Sequence, residues 1–218
     1  MTSIKNGDFI ELDYTGRLAD DGTVFDTTME DVAQKAGLDP KAQYRPVIIC
    51  VSEGQLLQGI DEYLKGKQFG KHTITLPPEK AFGKKDTKLL KLIPKQKFKE
   101  SKLEPRVGLE VNVDNHYGVI RSVSGGRITV DFNHPLAGKA LVYDVDVKGT
   151  VTDPAKQVEA LLDAAGVHHH GVSMKGAKHA IVQMHAMPPQ PVAEMLNKMI
   201  TKVTAVETVS YEAGEHKQ

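Results

Sequence analysis

Apolar positions in the first eighty residues come in short runs broken by glycine, proline and aspartate, a pattern of strands and turns. Residues 9–15 are rich in β-formers. Residues 19–23 (Ala19-Asp20-Asp21-Gly22-Thr23) form a predicted hairpin turn in which Asp-Gly supplies positive φ, and Val24-Phe25-Asp26 resumes an extended run. Residues 30–46 are polar, with Gly37, Pro40 and Pro46 as breakers, and read as a surface excursion. Residues 47–51 are a short apolar strand. Leu56, Leu57, Ile60 and Leu64 then recur at helical spacing ahead of Gly66. Residues 71–76 are a further strand, closed by Pro77-Pro78. Several strands with one short helix predict a sheet wrapped on that helix.

The pattern changes near residue 84. A lysine-rich stretch surrounds Leu89, Leu90, Leu92, Ile93 and Phe98. Short strands follow at Val111/Val113, Val119/Ile120 and Ile128/Val130/Phe132, with Gly125-Gly126 as a hairpin turn. Residues 84–131 carry 11 Lys+Arg against 6 Asp+Glu, so this β-rich piece is basic within a neutral chain. Residues 141–147 are a clear strand that needs an earlier partner. Pairing it with the first sheet makes the basic piece an insertion.

Asp153-Pro154 starts a helix, with Asp as the cap and Pro at the first helical position. Val158, Leu161, Leu162 and Ala165 form its apolar stripe, and Gly166 ends it. Residues 178–187 read as a strand. Residues 191–200 read as a helix with Val192, Met195, Leu196 and Met199 on one face, and 203–211 as a last strand. Such a small α/β unit is of marginal independent stability, so it is expected to pack on the rest of the chain or on a partner.

Composition narrows the class. The 218 residues suit two or three domains, and equal numbers of acidic and basic residues give no field favouring nucleic acid or an anionic membrane. Cys50 is the only cysteine, so no intrachain disulfide forms. The start lacks the apolar region of a signal peptide, and no run reaches the roughly 18 apolar residues of a spanning helix. The expectation is a soluble cytoplasmic protein.

Five segments carry a family resemblance: Tyr14-Thr-Gly-Arg-Leu, Asp21-Gly-Thr-Val-Phe25-Asp26, Gly54-Gln-Leu-Leu-Gln-Gly59-Ile60, Leu76-Pro-Pro-Glu-Lys-Ala81-Phe82-Gly83 and Ala140-Leu-Val-Tyr143-Asp-Val. In order and spacing, residues 4–150 resemble the FK506-binding prolyl isomerases. Asn133-His134-Pro135-Leu136-Ala137-Gly138-Lys139 resembles their SlyD-like branch, in which this motif follows a chaperone module, the insert-in-flap domain. The remaining C-terminal region looks like that of the long archaeal members. The resemblance implies a pocket of Tyr14, Phe25, Asp26, Leu56, Leu57, Ile60, Phe82 and Tyr143, acting on unfolded or proline-containing polypeptides without a cofactor. Phe82 stands where many relatives carry Tyr, and Ile60 where some carry Trp. Both keep the pocket apolar, and altered ligand binding is expected.

The implied architecture is α+β, in three parts. An antiparallel β half-barrel around a short helix spans 1–86 and 132–151, the insert spans 87–131, and a C-terminal α/β domain spans 152–218. Two readings stand for Leu89, Leu90, Leu92, Ile93 and Phe98: the core of the insert, or an exposed groove for unfolded chains. Two also stand for the whole protein: an isomerase fed by its insert, or a holdase chaperone with vestigial isomerisation. The marginal size of residues 152–218 adds a third idea, a homodimerisation or docking module.

Six of nine histidines lie in the last third (His168, His169, His170, His179, His185, His216). Imidazole suits nickel, copper and zinc, but no cysteine or paired ligand spacing accompanies them, so no metal is assigned. Five of seven methionines lie there too and read as core. Cys50, within an apolar strand, reads as a buried inert thiol.

Overall fold

The computed structural model describes residues 3–100 and 103–213. Two compact units emerge: Met1–Leu76 with Leu141–Gln218, and Pro77–Ala140.

In the first unit, β1 (Phe9–Leu18) buries Ile10, Leu12, Gly16 and Leu18 at two-residue spacing. β2 (Val24–Thr27) returns antiparallel beside it through the predicted turn, where Gly22 takes φ 74°. The β1–β2 register shifts between Gly16 and Arg17. Residues 30–36, read from sequence as part of a polar surface excursion, form α1 (Glu30–Ala36). Glu30 and Asp31 in its first turn and Lys35 in its last complement the helix dipole. Gly37 at φ 69° closes it, donating to the carbonyls of Ala33 and Gln34. Only Ala33 of this helix is buried, so no apolar stripe betrayed it.

β3 (Val47–Cys50) pairs antiparallel with β1. α2 (Gln58–Leu64) is shorter than the apolar spacing suggested, with Leu57 at its N-cap and Ile60 and Leu64 buried. β4 (Gly70–Leu76) ends the first half of this unit.

Residues 77–140 stand as their own unit, wider at both ends than the composition shift suggested. They contain β5 (Leu90–Pro94), α3 (Lys95–Glu100), β6 (Glu110–Val113), β7 (His116–Ser124) and β8 (Arg127–Asp131) in a sheet of order β5-β8-β7-β6. Gly125 (φ 54°) and Gly126 (φ 80°) make the β7–β8 turn with two positive φ angles. Ile93, Phe98, Val111, Ile120, Ile128 and Val130 form the core. Of β5 only Ile93 is buried, and Leu92 beside it is exposed.

Asp131 anchors this unit's polar side. Only 3% exposed, it accepts hydrogen bonds from Lys85 Nζ (2.9 Å), Arg121 Nε (3.2 Å), and Asn133 N and Nδ2 (3.0 and 2.8 Å). Burial opposes ionisation, but these donors win and hold its carboxyl well below the ordinary value near 3.8. Because the folded value is depressed, the stabilisation is present above about pH 4 and is lost as pH falls further. Asp131→Asn is expected to destabilise this unit by about 1.5–3 kcal/mol at neutral pH, the range for hydrogen bonds to a charged group. Hydrogen exchange of residues 90–131 in the full chain checks this. The wild type should lose protection between about pH 4 and 2, and the variant should show a flatter profile.

β9 (Leu141–Thr150) runs between β1 and β4, antiparallel to both, giving the sheet order β2-β1-β9-β4. This is the long-range pairing expected from the sequence. Its inward residues Leu141, Tyr143, Val145 and Val147 alternate with outward ones.

α4 (Pro154–Ala164) is capped by Asp153, whose Oδ1 accepts from the Ala155 N–H at 2.9 Å. β10 (Gly171–Lys175), β11 (His179–Met184), α5 (Gln190–Val203) and β12 (Thr208–Ala213) follow. The predicted helix-strand-helix-strand order omitted β10, five residues with only half-buried Val172 and Met174 to mark it. β10 pairs antiparallel with β11, and α5 carries the chain across so that β12 joins β11 in parallel. On α5 the inward face is Leu196 and Ile200, whereas Met195 is 59% exposed. Val203 closes α5 and does not open the last strand.

This C-terminal segment belongs to the same compact unit as the first sheet. Val158, Leu161, Leu162, Val182, Leu196 and Ile200 share one core with Phe9 of β1 and Cys50 of β3. Within it Cys50 is fully buried, and burial pushes its thiol up to about 11.

Candidate functional site

Gly16 is the pivot of the site. In the sheet it lies opposite Asp26 of β2 on one side and Tyr143 of β9 on the other. A Cβ here would stand 2.8 Å from Phe25 Cζ and 2.9 Å from Tyr143 Cε1. Only glycine lets these two rings close over the strand. They meet edge-on, centroids 5.9 Å apart, and Tyr143 also meets Tyr14 at 6.0 Å. These distances suit aromatic pairs packed as a wall.

The Tyr14 hydroxyl donates to Asp26 Oδ2 at 2.8 Å. Burial first, then the nearby Asp26 carboxylate, push the Tyr14 phenol well above the tyrosine range, and burial does the same for Tyr143. Both stay neutral, and Tyr14 stays a donor, throughout ordinary pH. Threonines hold the backbone behind them. Thr28 Oγ1 accepts from the Tyr14 N–H at 2.9 Å and donates to Asp13 Oδ1 at 2.8 Å, and Thr27 Oγ1 donates to the Tyr14 carbonyl at 2.9 Å.

A cleft of about 620 Å³ opens on these residues. Of the eight residues predicted for the pocket, Tyr14, Asp26 and Leu56 line it. Phe25 and Tyr143 join Tyr14 through ring contacts. Leu57 caps α2, its carbonyl accepting from the Ile60 and Asp61 N–H groups, and Ile60 is buried within that helix. Phe82 lies in the other unit, stacked on His134 with ring centroids 4.3 Å apart. Among the described residues lining the cleft there is no Ser, Cys or His. Its chemistry is one of shape, apolar contact and a few fixed polar groups.

Sequence reasoning missed several members of this site. Gly16 sits mid-strand, where a glycine signals close approach, yet drew no attention beyond its motif. Thr27, Thr28, Tyr44, Arg45 and a row of residues on α4 also line the cleft. The α4 residues had no signal, because only the fold brings them there.

The insert's five candidates divide. Ile93 and Phe98 are core, whereas Leu89, Leu90 and Leu92 are exposed at 39%, 39% and 65%. Among the described residues, no three His, Cys, Asp or Glu side chains are grouped to hold a metal. His169 Nε2 lies 3.2 Å from Asp163 Oδ1, and the His170 and His185 rings meet at 6.2 Å. His216 falls outside the described residues. No described helix is long and apolar enough to cross a membrane.

The site is thus an aromatic wall on an antiparallel sheet, beside an open cleft with no nucleophile among its described lining residues. Known proteins resemble this chain in sequence. The chain is 37% identical over 147 residues to a "Short-type peptidyl-prolyl cis-trans isomerase" of Methanocaldococcus jannaschii, covering 66% of this chain and 92% of that one. It is 30% identical over 151 residues to the "FKBP-type 16 kDa peptidyl-prolyl cis-trans isomerase" of Escherichia coli K12, with the same coverage. Against the "FKBP-type peptidyl-prolyl cis-trans isomerase SlyD" of Helicobacter pylori it is 27% identical over 116 residues, covering 51% of this chain and 63% of that one. Residues 91–136 match a family model described as "FKBP26, IF domain". The chain belongs to the FKBP-type peptidyl-prolyl cis-trans isomerase family, with SlyD-like relatives.

Proposed function

We propose that this chain accelerates cis/trans rotation about X-Pro bonds in unfolded and partly folded proteins, and that its insert captures those clients and raises their local concentration. The observation that carries the reading is the wall of Tyr14, Phe25 and Tyr143 over Gly16, with Asp26 fixed beside it.

Rotation about the amide meets a barrier of about 18–20 kcal/mol because resonance keeps it planar. No bond breaks, so a catalyst has only to bind the twisted amide better than either planar form. An apolar wall disfavours the charge-separated resonance form and thereby weakens the C–N double-bond character. The rings of Phe25 and Tyr143, packed with Tyr14, grip the proline ring. Asp26, its Oδ2 engaged by Tyr14, offers Oδ1 to groups around the twisted carbonyl.

Exposed Leu89, Leu90 and Leu92 favour client holding by the insert, and on their own would suit a holdase. Proline-limited refolding of a model protein separates the two readings, run beside isomerisation of a short peptide. Wild type should accelerate both. Asp26→Ala with Tyr143→Ala should lower both by about tenfold or more, which corresponds to about 1.4 kcal/mol of lost transition-state binding. Replacing residues 87–131 with a short loop should spare the peptide reaction and slow the protein one. Suppressed aggregation without any acceleration would overturn the isomerase reading.

A further inference from the structure

The cleft continues well past the aromatic wall. Its volume of about 620 Å³ is in the range that holds a ligand of several residues. One side runs along residues 42–49, and the opposite side includes Lys156, Glu159, Ala160, Asp163 and Ala164 of α4. These fall at i, i+3, i+4, i+7 and i+8, which is one face of the helix. The face turned away carries Val158, Leu161 and Leu162 into the core shared with β1 and β3. α4 is therefore fixed by one face and lends the other to the cleft, with alanines leaving the space open.

Most charges along this wall are already engaged. Arg45 pairs with Asp163 at 3.1 Å, and Asp163 also meets His169. Glu159 Oε1 accepts from the Val172 N–H at 3.1 Å, and Asp26 holds the Tyr14 hydroxyl. Lys156 is the charged lining residue that pairs with no acidic side chain among the described residues. It also stands in the first turn of α4, two residues after Pro154, where the helix dipole disfavours a cation. Helix stability therefore does not favour a lysine at this position, and its charge is open to an anionic group in the cleft.

We infer that α4 forms an extension of the substrate cleft and that Lys156 selects polypeptides with an acidic side chain a few residues from the isomerised proline. This rests on the prolyl-site reading of Tyr14, Asp26 and Leu56. The test is kcat/KM for peptide pairs that differ only by Glu or Lys placed two to four residues before or after the proline. Wild type should favour the Glu peptide on one side by roughly two- to fivefold, the range of a solvent-exposed ion pair. The preference should shrink in high salt. Lys156→Glu should reverse it, and Lys156→Arg should keep it. Lys156 is exposed, so both variants are expected to fold.

Equal rates for both peptides, or a preference unchanged in Lys156→Glu, would overturn the inference while leaving the isomerase reading intact. A wild type that isomerises no peptide at all would overturn that reading, and this inference with it.

Discussion

Gly16→Ala is expected to lower kcat/KM for prolyl isomerisation by roughly tenfold or more, through a single added methyl. Nothing about the backbone angle at Gly16 demands glycine, since its φ is not in the left-handed region. The constraint is the approach of Phe25 and Tyr143, whose ring atoms would lie 2.8–3.0 Å from the new Cβ. Rings cannot retract as a lysine tip can. Overpacking of this kind costs about 1–3 kcal/mol, and displacement of the wall takes that energy from the site. Kinetics on a short peptide, with thermal unfolding in parallel, reads both effects. A fully active Gly16→Ala enzyme would mean that the rings do not form the gripping surface. Because Tyr14 and Tyr143 stay neutral, the loss should not be recovered by raising the pH to 9.

Leu162→Ala carries the largest expected stability effect. Leu162 is fully buried in the core that α4 shares with Phe9 and Cys50. Leucine-to-alanine changes at such sites cost about 2–5 kcal/mol, a large share of the about 5–15 kcal/mol that holds a typical domain. Since residues from both ends of the chain line this core, the first sheet and the C-terminal segment should lose stability together. Denaturant unfolding followed by probes in β1 and in α5 should show coincident midpoints, both lowered. A chain ending at residue 151 should expose Phe9, Ile48, Cys50 and Val151, bind hydrophobic dyes and aggregate. Separate midpoints, with β1 unaffected by Leu162→Ala, would show that the two segments fold independently.

Legibility of the fold tracked how local each signal was. The β1–β2 hairpin announced itself through Asp21-Gly22, the β7–β8 turn through Gly125-Gly126, and α4 through Asp153-Pro154. The long-range pairing of β9 was legible because the alternation over 141–147 demanded a partner and the basic insert explained the interruption. α1 escaped because one buried alanine makes no stripe, and β10 because it is short and half-buried. Residues 152–218 read as a small α/β domain that packs on the rest of the chain or on a partner, and their core includes Phe9 and Cys50 of the first sheet. No periodicity reveals that Phe9 and Cys50 turn toward Val158, Leu161 and Leu162 of α4, far along the chain.

At the candidate site, motifs brought Tyr14, Phe25, Asp26 and Tyr143 together on the page, and they meet in space. Leu57 and Ile60 do not line the cleft. The α4 side of the cleft was invisible, because Lys156 and Asp163 reach it only through tertiary packing.

Leu76 and Leu141, the residues flanking the 77–140 unit, are directly opposed partners on neighbouring strands. To the half-barrel, everything between them is a hairpin connection of arbitrary content, and the entropy of closing such a loop grows only slowly with its length. Protein engineering and gene shuffling thus meet a ready-made socket: any module whose own ends lie one strand-spacing apart can be plugged in here. With clients held by the insert as proposed, exchange of that module is expected to change which proteins are refolded, while isomerisation of a short peptide by the first unit persists.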